Sequence, residues 1–66
     1  LAHRFATLSD READVMRLML DGQLNKQIAD SLGISIRTVE VHRARVLQKT
    51  GARNSVDLAR IRSRIE

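Results

Sequence analysis

Three glycines, at positions 22, 33 and 51, punctuate a chain that has no proline. They cut it into four segments, and each segment reads as a helix. Glycine tolerates the left-handed backbone that stops a helix at its C-terminal end. Each glycine also follows an apolar pattern spaced by three and four residues, the helical period. Composition agrees with all-α: Phe5 is the only aromatic residue, and the apolar remainder is aliphatic. Sheets favour aromatic and β-branched residues with frequent turn signals.

The segment boundaries carry their own start signals. Ser9 followed by Glu12 is a capping-box pattern, with Leu8 placed to staple onto the first turn. Leu8, Glu12, Val15 and Met19 fall near one face of the first helix. Asn25 is the expected N-cap of the second helix, whose inner stripe is Ile28, Ala29 and Leu32. Ile34 should point inward from the turn. Ser35 is the expected cap of a third, longer helix over about 35–50, with Ile36, Val39, Val46 and Leu47 on its apolar side. Its other side carries Arg37, Glu40, Val41, Ala44, Arg45 and Gln48. Asn54 or Ser55 caps a fourth helix, with Asp57 at or near its N3 position. Residues 1–7 read as a linker or arm, and 8–66 as one domain.

The formal charge of +4 is unevenly placed. Residues 1–24 are net −1 and residues 25–66 are net +5. The second part attracts polyanions, although a solvated basic surface is the simpler alternative. There is no cysteine, and His3 and His42 lack metal-ligand spacing. No metal or cofactor is expected. No apolar run approaches the ~20 residues that span a bilayer, and no signal peptide is apparent. Acid–base catalysis needs groups that converge in a pocket. Asp10, Glu12 and Asp14 are spaced by two and point around a helix, so an enzyme is not expected.

The second and third helices fit a helix-turn-helix over about residues 25–45. Close approach of the two helices requires a small residue, which is Ala29. The tight turn requires a residue free to take positive φ, which Gly33 supplies. Ile28, Leu32, Ile34 and Val39 flank the turn. An ordinary helical hairpin serving as a protein-interaction module is the alternative. Against it, residues 35–50 hold four basic residues and one acid. A purely structural surface helix is expected to mix charges in i,i+4 pairs.

The segments Leu8-Ser9-Asp10-Arg11-Glu12, Asn25-Lys26-Gln27-Ile28-Ala29, Leu32-Gly33-Ile34-Ser35, Arg37-Thr38-Val39-Glu40-Val41-His42-Arg43 and Lys49-Thr50-Gly51 resemble the LuxR-type helix-turn-helix domain. Val-Glu-Val-His-Arg most resembles the C-terminal domains of FixJ-type response regulators. The resemblance implies a four-helix domain that binds double-stranded DNA as a homodimer and regulates transcription in a bacterial cytoplasm. It also implies an N-terminal receiver domain of a two-component system, and it leaves RNA polymerase open as a further partner. The chain departs from many relatives at Thr50, where they have leucine or methionine, and at Ala44, where they have asparagine or lysine. Thr50 can bond a backbone carbonyl, whereas Ala44 offers only shape or a methyl contact.

Phosphate contacts set affinity and base-edge contacts set preference. Asn25, Lys26, Ser35, Arg37, Thr38, Arg45 and Lys49 are the phosphate candidates. Glu40, Val41, Arg43 and Ala44 are the base candidates. Val41 suits a thymine methyl, Glu40 a cytosine amino group, and Arg43 a guanine edge or a phosphate. Glu40 can instead pair with Arg37 or Arg43. His42 is expected half-buried, bonded to a backbone group or phosphate. Glu12 either caps alone or makes a buried ion pair with an arginine such as Arg43. In the fourth helix, Leu58 and Ile61 should pack inward. Val56, Ala59, Arg60 and Ile65 are the candidate dimer surface.

Overall fold

The structure, a computed structural model, describes residues 6–65 apart from the side chain of Ile65. Phe5 and most of the proposed arm lie outside the described residues, as does the Ile65 side chain. Four helices are complete within the described residues, which contain no strand: α1 (Asp10–Leu20), α2 (Asn25–Leu32), α3 (Ile36–Thr50) and α4 (Ser55–Ile65).

Each helix starts on a local hydrogen-bond device. At α1, Ser9 N–H donates to Glu12 Oε1 at 2.9 Å and Glu12 N–H donates to Ser9 Oγ at 3.1 Å, the reciprocal box expected. At α3, Thr38 N–H donates to Ser35 Oγ at 3.0 Å. At α4, Asn54 is the cap, since Asp57 N–H donates to its Oδ1 at 2.8 Å. Asp57, three residues on, accepts from Arg53 N–H at 2.9 Å.

The start of α2 corrects one expectation. Leu24, not Asn25, is the N-cap, because Ile28 N–H already donates to Leu24 O at 2.9 Å. Leucine has no side-chain acceptor. Gln27 supplies half of the cap instead, accepting from Leu24 N–H at 2.7 Å. The cap places Leu24 in solvent, where it is 71% exposed.

The core is Val15, Met16, Met19, Ile28, Ala29, Val39, Val46, Ala52 and Leu58, with Leu8, Leu32, Ile34, Leu47 and Ile61 packed around it. The helix α3 is the hub: it packs most extensively on α1, then on α2, and also touches α4. Ala29 of α2 is buried in the same core cluster as Val39 and Val46 of α3, and the chain then turns at Gly33 with φ +67. A side chain there would have to enter the left-handed region, a strain of about 1–2 kcal/mol for most residues.

Ile36 departs from its expected place. Helical period puts it on the apolar side, yet it is 45% exposed. It is the first residue of α3, beyond the level at which Val39 and Val46 enter the core. Thr50 does the reverse: it is fully buried, and its Oγ1 donates to Val46 O at 2.7 Å while receiving Ala52 N–H at 3.4 Å. Thr50→Val keeps the shape and removes these bonds together with the 3.4 Å bond from Oγ1 to Leu47 O. The expected loss is about 1 kcal/mol, read as a lower urea midpoint with an unchanged slope.

Candidate nucleic-acid interface

The turn at Gly33 and the Ser35 cap set the direction in which α3 leaves the core. Val39 and Val46 anchor its inner side, so the helical period carries Arg37, Glu40, Val41, Ala44, Arg45 and Gln48 outward, and all six are exposed. This is the outward set the sequence indicates. Ser35 and Thr38 sit at the start of the same face, their hydroxyls 2.9 Å apart. Lys26 is exposed and Asn25 half-buried at the start of α2.

Two expected contact residues are drawn inward. Lys49 Nζ lies 2.6 Å from Glu12 Oε1 and 3.3 Å from the carbonyl of Thr7. Glu12 therefore does have an ion pair, but its partner is Lys49 and not Arg43. Arg43 instead extends to the start of α4 and donates to Ser55 Oγ at 3.2 Å. The Lys49 hydrogen bond, reinforced by Ser9 N–H, holds the Glu12 carboxyl below its usual range against the opposing effect of burial.

Glu40 turns sideways along the helix to Arg37, with 3.8 Å between Oε1 and Nη1. Pairing with Arg37 was one of its open alternatives. His42 is half-buried as expected, but its Nδ1 is buried without a hydrogen-bond partner, so the anticipated backbone bond is not made by that nitrogen.

On α4, Leu58 is fully buried and Ile61 partly so, while Val56, Ala59 and Arg60 are exposed. Arg53, Asn54, Val56, Asp57 and Arg60 line a hollow of about 270 Å³. Arg60 Nη2 reaches Asp57 Oδ1 at 2.8 Å. The backbone N–H of Arg53 and this guanidinium hold the Asp57 carboxyl below its ordinary range. Among the described residues, no cluster of His, Cys, Asp and Glu can hold a metal ion, and no helix is long and apolar enough to cross a membrane.

A helix whose exposed side is basic, set on a small-residue crossing and a left-handed glycine turn, defines a helix-turn-helix DNA-binding domain. The family model for the luxR family of bacterial regulatory proteins matches residues 6–62. The chain belongs to that family, whose members regulate transcription through DNA and are not enzymes. It is 67% identical over 61 residues to the C4-dicarboxylate transport transcriptional regulatory protein DctR of Rhodobacter capsulatus, covering 92% of this chain and 31% of the relative. It is 48% identical over 58 residues to the transcriptional regulatory protein FixJ of Azorhizobium caulinodans, covering 88% of this chain and 28% of FixJ. With the response regulator protein TodT of Pseudomonas putida it shares 39% identity over 66 residues, covering 100% of this chain and 29% of TodT. The chain thus spans less than a third of the length of these relatives. No solved structure matches it.

Proposed function

We propose that this domain binds duplex DNA with α3 in the major groove and serves as the output domain of a two-component response regulator. The observation that carries the reading is the outward face of α3, where Arg37, Val41, Ala44 and Arg45 stand exposed on a helix fixed from behind by Val39 and Val46. Asn25, Lys26, Ser35, Arg37, Thr38 and Arg45 contact phosphates. Glu40, Val41 and Ala44 face the groove floor. Arg43 and Lys49 hold α3 against α4 and α1, and act on DNA through that positioning. The relatives named as response regulators support an N-terminal receiver domain in the full protein.

On DNA the domain acts as a homodimer through Val56, Ala59, Arg60 and Ile65 of α4, with half-sites about one helical turn apart. Selection from a random duplex pool tests both ideas at once. A palindromic enriched motif is expected, and binding to no duplex at low salt would overturn the DNA reading. Removing one phosphate contact flattens the dependence of log K on log salt by about 0.9. Lys26→Ala is therefore expected to weaken binding to every sequence alike and to reduce the slope by about that amount in titrations at several salt concentrations.

A further inference from the structure

His42 belongs to neither the phosphate set nor the base set. Along α3 it lies three and four residues from Val39 and Val46, and four and three from Thr38 and Arg45. It therefore stands where the buried side of the helix meets the outer one, and it is half-buried accordingly. Its two ring nitrogens meet different surroundings. Nδ1 is buried without a hydrogen-bond partner. Nε2 makes no hydrogen bond within the described residues and is not among the buried unpartnered atoms, so it reaches the surface. On that flank Arg45 is exposed and Thr38 half-buried. The two are about 10 Å apart along the helix axis, with His42 between them.

A neutral imidazole carries one proton, on one nitrogen or the other. On Nδ1 of His42 that proton would make a buried donor with no acceptor, whereas on Nε2 it meets solvent. An orphaned N–H is rarer in folded chains than an acceptor with an unused lone pair. We propose that His42 carries its proton on Nε2 and donates it to a backbone phosphate of duplex DNA, an uncharged contact between those of Thr38 and Arg45. The proposal rests on α3 being the groove helix. An N–H that emerges beside a guanidinium suits an anionic acceptor, because both groups donate and the cation draws the anion in. A ring that served packing alone would do better as an aliphatic of similar size. The buried Nδ1 has given up its hydrogen bond to water and receives none in return.

The test compares the unaltered chain with His42→Gln and His42→Met at about pH 8, where an imidazole is ordinarily uncharged. Glutamine keeps a side-chain N–H of similar reach, while methionine keeps the bulk and has no donor. Affinities for a selected duplex and a scrambled one are measured at several salt concentrations. His42→Met is expected to bind both duplexes about ten-fold more weakly, the scale of a hydrogen bond to a charged group. His42→Gln should recover most of that loss. The slope of log K against log salt should be the same in all three chains, because an uncharged donor releases no counterion. Heteronuclear NMR of the ring nitrogens in the unaltered chain reads the tautomer. It should find the proton on Nε2, with slower exchange once duplex is added. Circular dichroism confirms that both variants fold, and if His42→Met does not, the tautomer and its exchange decide alone. A proton on Nδ1, full affinity in His42→Met, no recovery in His42→Gln, or a slope flattened by about 0.9 in His42→Met would overturn the proposal. If binding keeps a steep salt slope in those cases, the DNA reading stands and only the role of His42 falls. Absence of binding to any duplex removes both.

Discussion

Leu58→Ala is expected to lower stability by about 3 kcal/mol, within the range of about 2–5 kcal/mol for emptying a buried leucine site. Leu58 is fully buried and is the α4 member of the core cluster. A domain of 66 residues has about 3–10 kcal/mol in total. The loss is therefore a large share of what holds the fold, and it falls first on α4, which packs on α1 and α3 through smaller interfaces than α1 and α3 share. Urea denaturation followed by circular dichroism reads the change. The informative control is Val56→Ala on the same helix. Val56 is exposed, so its truncation should change stability by no more than about 0.5 kcal/mol. It should nevertheless weaken cooperative binding to a two-half-site duplex if α4 is the dimer surface. Equal effects of the two substitutions on stability would contradict the burial pattern.

Lys49→Met is expected to cost about 2 kcal/mol at neutral pH, the scale of a lost hydrogen bond to a charged group. It leaves the Glu12 carboxylate, inside the core rim, with Ser9 as its remaining partner. The double change with Glu12→Gln should recover part of the loss, because a neutral amide is less costly to bury than an unpaired carboxylate. The pair also sets a pH dependence. Glu12 is held below its ordinary value of 4.5 in the folded protein, chiefly by the Lys49 hydrogen bond. A carboxyl lowered on folding stabilises the fold above its unfolded value and loses that contribution as pH falls through the folded one. Stability should therefore decline below about pH 4.5, and the decline should be shallower in Lys49→Met. Parallel acid profiles for the two chains would show that the pair does not carry the effect.

Much of this was legible in the sequence, because the informative signals are local. Ser9 with Glu12, the Ser35 cap, and glycines at helix ends act within one turn of chain. The burial of Val39 and Val46 likewise follows from helical period, and it fixes which residues of α3 face outward. The misses have two physical origins. The phase of α2 depends on which carbonyl Ile28 N–H reaches, and the glutamine that replaces a side-chain cap at Leu24 gives a weaker signal than the asparagine beside it. The partners of Glu12 and Arg43 are long-range. Helical period brings both Lys49 and Arg43 towards the core side of α3, and only the packing of α1 and α4 decides that Lys49 meets Glu12 while Arg43 meets Ser55. Ile36 escapes helical period because its phase is apolar while its level along α3 is beyond the core.

The packing of α1 against the buried side of α3 has an effect at distances where no contact exists. It keeps Asp14, paired with Arg11 at 3.6 Å and Arg17 at 3.3 Å, on a different helix from the exposed Arg37 and Arg45. The charge is lopsided along the chain, with residues 1–24 net −1 and residues 25–66 net +5. In the field of a polyanion a body of uneven charge is turned towards its more basic part before contact is made. At an ionic strength of 0.15 M the field is screened within about 8 Å, so this alignment acts in the last moments before touch.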